Sequence, residues 1–321
     1  MAEFFDLASL AKPLVTAPLA LELLDLDADR RAELGFDDRR VPLTVRQLLS
    51  HTSGLPPWRP YTGEPLAKQL RRSLVPGLHP LLRDGIAGTS VYSDLGYRLL
   101  GELLEGTTGR PWRDLGAERT GLQPAPFPLV PAALPEAQDG AAWRLATDHP
   151  VPPAAPNLPH DANARAGMPG HAGFGGTPAQ VELALQGWWA SGAPRRMAQV
   201  QAQGEDGQPW GLGLHRIPEG QGRFGALLER LPEGLQGIHV LSDPGTAQPA
   251  PAPPVEAPVW ATRWWGHFGY TGGALFLRPH TGLTIALLVN RRGPAGELLE
   301  VDELRSRRWG VLAAWVARLG Y

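Results

Sequence analysis

The spacing of hydrophobic residues along this chain is typical of helices in the first part and of strands further on. Apolar side chains recur at helical spacing over 9–34, 92–109 and 177–192, most clearly as a leucine stripe in 92–109. Further on, 272–291 (GGALFLRPHTGLTIALLVNR) predicts two strands joined by a turn, and 301–321 predicts a closing amphipathic helix. Helices first, then strands and a last helix, predict an α+β fold: a helical lobe plus an antiparallel sheet flanked by helices.

Two of the predicted helices carry signals at their starts. Pro13 and Pro18 must kink or interrupt the first helix, because proline has no backbone N–H and clashes with the preceding turn. In 92–109 either Ser93 or Asp94 is expected to cap the helix, since both side chains accept hydrogen bonds from the first turn.

All 321 residues are predicted to form a single domain of two lobes. The hydrophobic content of 43% suits one large domain or two lobes that share an interface. The mainly helical lobe is expected over about 14–200, and the sheet lobe over 1–13 and about 205–321. The stretch 217–258 is interpreted as an insertion or flexible excursion, because it ends in a Pro/Ala-rich segment at about 243–258.

Composition and charge exclude several classes of partner. The formal net charge of −2 gives no electrostatic basis for binding nucleic acid or an anionic membrane surface. The chain has no cysteine, so it has no disulfide, no thiolate metal ligand and no cysteine nucleophile. No stretch approaches the about 18 apolar residues that a transmembrane segment needs. We expect a small-molecule ligand, and nothing in the sequence indicates an oligomeric state.

The N-terminus, MAEFFDLASL, lacks the basic region and long apolar core of a signal peptide. The chain as written is therefore expected to be cytoplasmic. If an upstream signal segment is missing, the expected location is periplasmic or extracellular.

One of the only two lysines lies three residues after a serine. The two lysines are Lys12 and Lys68, whereas arginine is abundant, and chance would rarely place a lysine at this distance from Ser9. In a helix, residues i and i+3 share a face, so Ser9 and Lys12 can form a hydrogen bond. A lysine with a lowered pKa can accept the serine proton, which an arginine cannot do. A capping serine followed by an ordinary surface lysine remains the structural alternative.

Several longer segments resemble the serine β-lactamase-like family, which includes penicillin-binding proteins, class C β-lactamases and related esterases and D-peptidases. They occur in the family's order and reach almost from end to end of the chain. They include FDLASLAKPLVTA around Ser9, PLTVRQLLSHTSGLP (42–56), VYSDLGYRLLGELLE (91–105) and WGHFGYTGGALFLRPHTGLTIALLVNR (265–291), and together they are highly specific.

The resemblance implies roles for the residues of the first two motifs. Ser9 matches the nucleophile that forms an acyl-enzyme, and Lys12 matches its activating partner. Tyr92 matches the tyrosine that moves the proton to the leaving group, and we expect neighbouring cations to lower the pKa of its phenol. Asp94 takes a substrate-side position that asparagine usually holds. Its carboxylate is expected to keep Lys12 charged and, at the same time, to cap the helix that follows.

The third motif departs from the family's Lys-Thr-Gly pattern. His267, Phe268 and Gly269 align with it, although a register that uses Tyr270, Thr271 and Gly272 is an alternative. The resemblance implies an oxyanion hole made by the backbone N–H groups of Ser9 and Tyr270, and substrate contacts at Asp94, His267 and Gly269. Histidine is a cation only near or below its pKa, and Phe268 lacks a hydroxyl for a substrate carboxylate. Both departures favour uncharged esters or amides over penicillins.

Three histidines are candidate metal ligands. His51, His160 and His171 show no metal-binding spacing, and the chain has no cysteine to help. We interpret them as residues that pack loops, and we expect neither a metal nor another cofactor.

The sequence therefore favours a serine acyl hydrolase, esterase-like, that acts on small esters or amides through Ser9. A β-lactamase or a D-Ala peptidase of the penicillin-binding type is an alternative, and a truncated, non-catalytic relative that binds cell-wall fragments or a protein partner is another. The last alternative arises because only eight residues precede Ser9. Relatives usually carry several dozen, including strands of the sheet, so the N-terminal strands are expected to be missing and a sheet edge open.

Overall fold

The fold combines short and long helices with two sheets. The computed structural model describes residues 4–35, 42–58, 89–127, 161–204, 207–219, 224–243, 259–289, 291 and 299–321. These residues form the expected α+β architecture. His160 and residues 244–258 of the Pro/Ala-rich insertion lie outside the described residues, as do the residues that join the described ranges.

The helices predicted in the middle and at the end of the chain are confirmed. In chain order the described α-helices are α1 (Ala17–Leu23), α2 (Val45–Leu49), α3 (Asp94–Thr108), α4 (Trp112–Thr120), α5 (Ala162–Arg165), α6 (Pro178–Ala190), α7 (Ala193–Met197), α8 (Gly225–Glu229) and α9 (Val301–Arg318). Within the ranges given above, no helix has both the length and the apolar character that crossing a membrane requires.

The helix predicted over 9–34 is interrupted, as the two prolines led us to expect, but its predicted extent to residue 34 is wrong. The chain forms a 3-10 helix over Ala8–Leu10 and a π-helix over Lys12–Thr16, and only then α1, which ends at Leu23. The prolines explain the change of helix type. Pro18 has no N–H to donate to the preceding turn, and the N–H of Ala17 bonds to the carbonyl of Lys12, five residues back. The segment that carries Ser9 and Lys12 is therefore helical but irregular.

Ser93, and not Asp94, caps α3. The Ser93 hydroxyl accepts a hydrogen bond from the N–H of Gly96, and the helix ends at Gly109, which has a φ of 67°. The expectation that Asp94 caps the helix is wrong. Asp94 is the first helical residue, and its side chain points elsewhere, as described below.

The described strands form a small sheet and a large one. The small sheet contains β1 (Phe5–Asp6), β4 (Phe174–Gly176) and β3 (Gln123–Pro124), in that order. The large sheet has the order β2-β5-β6-β7-β9-β10-β11-β8. Its members are β2 (Thr89–Ser90), β5 (Ala202–Gly204), β6 (Pro209–Trp210), β7 (His215–Glu219), β8 (Ile238–Asp243), β9 (Val259–Phe268), β10 (Ala274–Arg278) and β11 (Leu283–Val289).

The large sheet is antiparallel through its centre and mixed at its two ends. The hairpin predicted over 272–291 is present as β10 and β11. However, β2 pairs with β5 in parallel, and β8 pairs with β11 in parallel from Ile238 opposite Thr284 to Asp243 opposite Val289. Strand β8 comes from the stretch interpreted as an insertion or flexible excursion, and it pairs along one side of β11.

The two faces of the large sheet pack on different partners. Leu275 and Leu277 of β10 belong to the core shared with the helices of the first 200 residues. Their neighbours Ala274 and Phe276 belong to a second core with α8 and α9. This alternation is the period of two expected for a strand that is buried on both faces. The sheet thereby separates a mainly helical layer from the closing helix.

Candidate active site

The residues just before Ser9 are held from two sides. Strand β1 pairs with β4, and the N–H of Leu7 donates to the carbonyl of Phe174 at 3.0 Å. On the other side, the hydroxyl of Thr271 donates to the carbonyl of Asp6 at 2.6 Å. Ala8 has a φ of 44°, a left-handed conformation that is strained for alanine, and its N–H donates to the carboxylate of Asp6 at 2.9 Å. This framework orients Ser9 at the start of its 3-10 helix.

Three of the predicted site residues meet at one oxygen atom. Lys12 Nζ donates to Ser9 Oγ at 2.9 Å, and the Tyr92 hydroxyl donates to the same Oγ at 3.0 Å. The contact expected from the i, i+3 spacing is therefore present, although the helix between the two residues is not an α-helix. The alternative of a surface lysine is excluded, because Lys12 is fully buried.

Lys12 is held by two further acceptors. Its Nζ lies 2.7 Å from Asp94 Oδ1 and donates to the carbonyl of His171 at 3.1 Å. Burial by itself lowers the pKa of Lys12, but the interactions with the Asp94 carboxylate and, after it, with Tyr92 outweigh burial, and the pKa is raised. The same pairing lowers the pKa of Asp94, against the effect of its own burial. The resting pair is thus an ammonium and a carboxylate, as the aspartate in place of asparagine led us to expect.

Tyr92 does not show the lowered pKa that we expected. Its burial raises the pKa more than the neighbouring Lys12 cation lowers it, and Asp94 adds to the rise. The phenol is therefore neutral in the resting structure. The expectation failed first because burial disfavours the charged phenolate, and second because Asp94 pairs with the cation on which the expectation was based.

His267 lies behind the site and not on its surface. The side chain is buried, Nδ1 donates to the carbonyl of Phe268 at 3.0 Å, and the ring centroid is 5.9 Å from that of Tyr92. Burial, followed by the charge of Lys12, lowers the pKa of His267 well below its usual range. A neutral histidine thus occupies the position where the resemblance implied a cation, and His267 is absent from the residues that line the cavity described below.

The loop after His267 is shaped by glycines and by Arg308 of α9. The N–H of Gly269 donates to the carbonyl of Gly273 at 2.8 Å, and Arg308 donates to the carbonyls of Gly269, Gly272 and Gly273. Gly272 has a φ of 127°, and a Cβ there would lie 1.8 Å from the carbonyl oxygen of Val289. A side chain at this position would force the loop away from β11.

In the alternative register of the third motif the hydroxyl group belongs to Thr271, and it is bound within the protein. Thr271 is buried, and its hydroxyl is bound to Asp6, so it ties the loop to β1. Tyr270 is half-exposed, and the guanidinium of Arg291 lies over its ring at 3.8 Å. Gly269 and Tyr270 both line the cavity. The loop thus brings Tyr270 to the same cavity as Ser9.

Ser9, Tyr92 and Asp94 line a cavity of about 970 Å³. This volume is within the range of small-molecule sites. Apolar and aromatic side chains form part of its wall: Trp58, Ile217, Phe224, Phe268 and Leu304. Charged side chains also line it: Asp161, Arg165, Arg291, Asp302, Arg305 and Arg308.

The histidines interpreted as packing residues are buried, as far as they are described. His171 Nε2 contacts Asp161 at 2.8 Å, and His51 stacks on Tyr92 with ring centroids 4.8 Å apart. In the described ranges no three His, Asp or Glu side chains are grouped as metal ligands. Sequence reasoning missed that His171 also supplies a carbonyl to Lys12, and no sequence signal marks a backbone acceptor of this kind.

A comparison with models of protein families gives a match over most of the chain. A family model described as Beta-lactamase matches residues 2–306 of this chain. A search of the curated proteins gives no match.

Among solved structures, the chain is similar to SurE, with 23% identity and a TM-score of 0.55 over 100% of this chain and 65% of that chain. It is also similar to a class C β-lactamase from Rhodobacter sphaeroides, with 20% identity and a TM-score of 0.59 over 98% and 86% of the two chains. A β-lactamase from Sulfitobacter sp. EE-36 gives 20% identity and a TM-score of 0.57 over 99% and 84%. At these identities the likeness shows a shared fold, and this chain spans about 65% of the length of SurE.

Proposed function

The chain belongs to the beta-lactamase family, and from that premise we propose that it is a serine acyl hydrolase that cleaves small esters or amides through an acyl-enzyme on Ser9. The observation that carries the proposal is the meeting of Lys12 Nζ and the Tyr92 hydroxyl at Ser9 Oγ, at 2.9 and 3.0 Å. A nucleophile with two proton-transfer groups within hydrogen-bond distance has the geometry that covalent catalysis needs.

The proposed chemistry begins with attack of Ser9 Oγ on the substrate carbonyl. The reactive form has a neutral Lys12, which is the minor form at neutral pH. The serine proton passes to Lys12, directly or through the Tyr92 hydroxyl, and from there to the leaving oxygen or nitrogen as its bond to the acyl carbon breaks. The N–H groups of Ser9 and Tyr270 are proposed to stabilise the oxyanion, a contribution of about 3 kcal/mol for each such donor in enzymes where it was removed. Water then attacks the acyl-enzyme and its proton passes to Lys12. The bond between the acyl carbon and Ser9 Oγ breaks, and the proton returns to Oγ as the carboxylic acid leaves.

The groups around the third motif favour an uncharged substrate over a penicillin. The position of the family's permanent cation holds a neutral, buried His267. The hydroxyl of Thr271 is bound to Asp6, and the guanidinium of Arg308 is bound to three backbone carbonyls. The Thr271 hydroxyl and the Arg308 guanidinium are thus already engaged within the protein. The aromatic wall offers apolar surface to an acyl or leaving group.

Intact-protein mass spectrometry after exposure to a fluorophosphonate, and separately to a penicillin, tests this proposal. We expect one fluorophosphonate adduct on the wild-type chain and none on Ser9→Ala. We expect neither a lasting penicillin adduct nor consumption of the penicillin. A stable penicillin adduct would assign a penicillin-binding protein, and consumption a β-lactamase. Absence of any fluorophosphonate adduct would identify a non-catalytic relative.

A substrate panel extends the same test. It contains p-nitrophenyl acetate and butyrate as esters and the p-nitroanilide of D-leucine as an amide. The amide is included because one structure of SurE, which shares this fold, is described as holding D-Leu. We expect ester turnover that follows the fluorophosphonate reactivity.

Replacing Asp94 with asparagine is expected to shift the pH dependence of turnover to lower pH. In the wild type, Asp94 keeps the pKa of Lys12 raised, so its neutral form is scarce at neutral pH and kcat/KM rises with pH. Without the carboxylate, burial lowers the pKa of Lys12. Below the pKa the neutral fraction grows about tenfold for each unit by which the pKa falls, so kcat/KM at neutral pH should rise at least about tenfold.

The matched control is Asp114→Asn. Asp114 lies in the first turn of the next helix, α4, and is more than half exposed, so it loses the same charge without touching Lys12. The measurement is kcat/KM from about pH 6 to about pH 10 for wild type and both variants. An unchanged profile in Asp94→Asn would contradict the assignment of Lys12 as the group whose deprotonation limits the rate.

A further inference from the structure

His51 touches the segment that carries Tyr92 at two backbone positions. The residue follows α2, is buried, and has a φ of 59°, which is rare for residues other than glycine. Its carbonyl accepts a hydrogen bond from the N–H of Val91 at 2.9 Å, and its Nδ1 accepts one from the N–H of Ser93 at 3.0 Å. The two bonds lie on either side of Tyr92, so they determine the path of the backbone at that residue.

The His51 ring also contacts the Tyr92 side chain. The two ring centroids are 4.8 Å apart with an interplanar angle of 35°. The imidazole also packs against the ring of Tyr97, with centroids 5.2 Å apart, and against Trp210 in an edge-on arrangement, with centroids 5.0 Å apart. These contacts leave the imidazole little freedom to turn, and they form a rigid surface against which the phenol lies.

The bond from Ser93 requires that Nδ1 carries no proton. Burial, and after it the positive charge of Lys12, lowers the pKa of His51 to about 3, so the ring is neutral across the physiological range. The proton of the neutral ring then resides on Nε2, which is buried and has no hydrogen-bond partner in the structure. An unsatisfied buried donor costs free energy. The hydrogen bond at Nδ1 and the stacking on Tyr92 therefore stabilise this ring orientation against that cost.

We propose that His51 is a positioning residue that holds the Tyr92 hydroxyl at Ser9 by accepting the N–H groups on both sides of Tyr92 and stacking on its ring. The inference rests on the proposed function and adds a residue to its machinery. His51 does not touch Ser9 or line the cavity, so it acts only through Tyr92. A displacement of about 1 Å in a proton-transfer group is enough to reduce turnover by up to about 10²-fold.

Two variants separate this role from a general effect on folding. Glycine and asparagine both tolerate the left-handed backbone, and both remove the ring. Only asparagine retains a side-chain acceptor close to the position of Nδ1. We expect His51→Gly to lower kcat for p-nitrophenyl butyrate about 10²-fold with little change in KM, and His51→Asn to recover most of that loss.

Circular dichroism and thermal melting of each variant accompany the kinetics, and His239→Asn is the control. His239 packs on Trp315 at 4.9 Å, at the far end of the sheet, and its replacement should leave kcat unchanged. If His51→Gly does not fold, His51→Gln replaces it, because its longer side chain carries the amide oxygen past the Nδ1 position. Full activity in that variant, equal kcat in the Gly and Asn variants, or a loss confined to KM would overturn the positioning role.

The proposed role of His51 and the proposed function can be refuted independently of each other. A wild-type chain that reacts with a fluorophosphonate at Ser9, together with indifferent His51 variants, refutes only the role of His51. A wild-type chain without reactivity refutes the hydrolase proposal itself.

Discussion

Ser9→Ala is expected to reduce kcat/KM for p-nitrophenyl butyrate at least about 10³-fold, to the level of the uncatalysed reaction with bound substrate. The reason is that Ser9 Oγ is the atom to which both Lys12 and Tyr92 donate. Neither of those groups can replace the alkoxide that forms the acyl-enzyme. Removing the nucleophile alone therefore costs about as much as removing the whole catalytic group.

The fold should survive this substitution. Lys12 keeps Asp94 and the carbonyl of His171 as partners, so no buried charge is left without one. We expect a melting temperature close to that of the wild type. Ser191→Ala is a suitable control, because Ser191 lies at the end of α6, does not line the cavity, and its hydroxyl bonds only to the backbone of Trp188 and Ala193. Turnover that persists in Ser9→Ala at the wild-type rate would refute Ser9 as the nucleophile.

The contact between Ser9 and Lys12 was predictable because it depends on short sequence spacing. Three residues of any wound backbone bring the two side chains to the same side, so the contact is present even in a 3-10 and π-helical segment. The position of Tyr92 relative to Ser9 was available only from the resemblance, since 83 residues separate them. The order of helices, hairpin and closing helix followed from the hydrophobic periods.

The parts that sequence reasoning missed depend on long-range packing. Strand β8 lies in a stretch whose Pro/Ala-rich end dominates its composition, and only the pairing with β11 reveals it. Asp94 is a good capping residue by type. Lys12, which is distant in sequence, binds its carboxylate instead, and Ser93 caps the helix.

The protonation states could not be predicted from residue types for a related reason. The pKa of Tyr92 and that of His267 are governed first by burial, which a sequence does not report. The expectation of a lowered phenol pKa counted the cation and omitted the anion that pairs with it. Burial and pairing together leave a site whose resting form is a protonated Lys12, a neutral Tyr92 and a neutral His267.

Lys12→Met is expected to impair both activity and stability, for different reasons. Loss of the proton-transfer group should lower kcat/KM about 10³-fold. Methionine fills much of the same volume, but it leaves the Asp94 carboxylate, of which 18% is exposed, without the cation 2.7 Å away. Breaking one side of a buried ion pair costs about 3 kcal/mol, which urea denaturation would measure as a fall in the free energy of unfolding.

The double variant Lys12→Met/Asp94→Asn separates the two effects. It removes the uncompensated charge, so it should regain most of the lost stability while turnover stays absent.

The pH dependence of the stability of Lys12→Met gives an independent test. In the wild type the pKa of Asp94 is lowered, so its contribution to stability is present above the unfolded pKa of 3.8 and is lost as the pH falls through the folded value. In Lys12→Met burial should raise that pKa, so the single variant should gain stability on mild acidification while the wild type does not. A double variant as unstable as Lys12→Met would show that the loss arises from packing around position 12, and that the ion pair contributes little to holding the nucleophile segment in place.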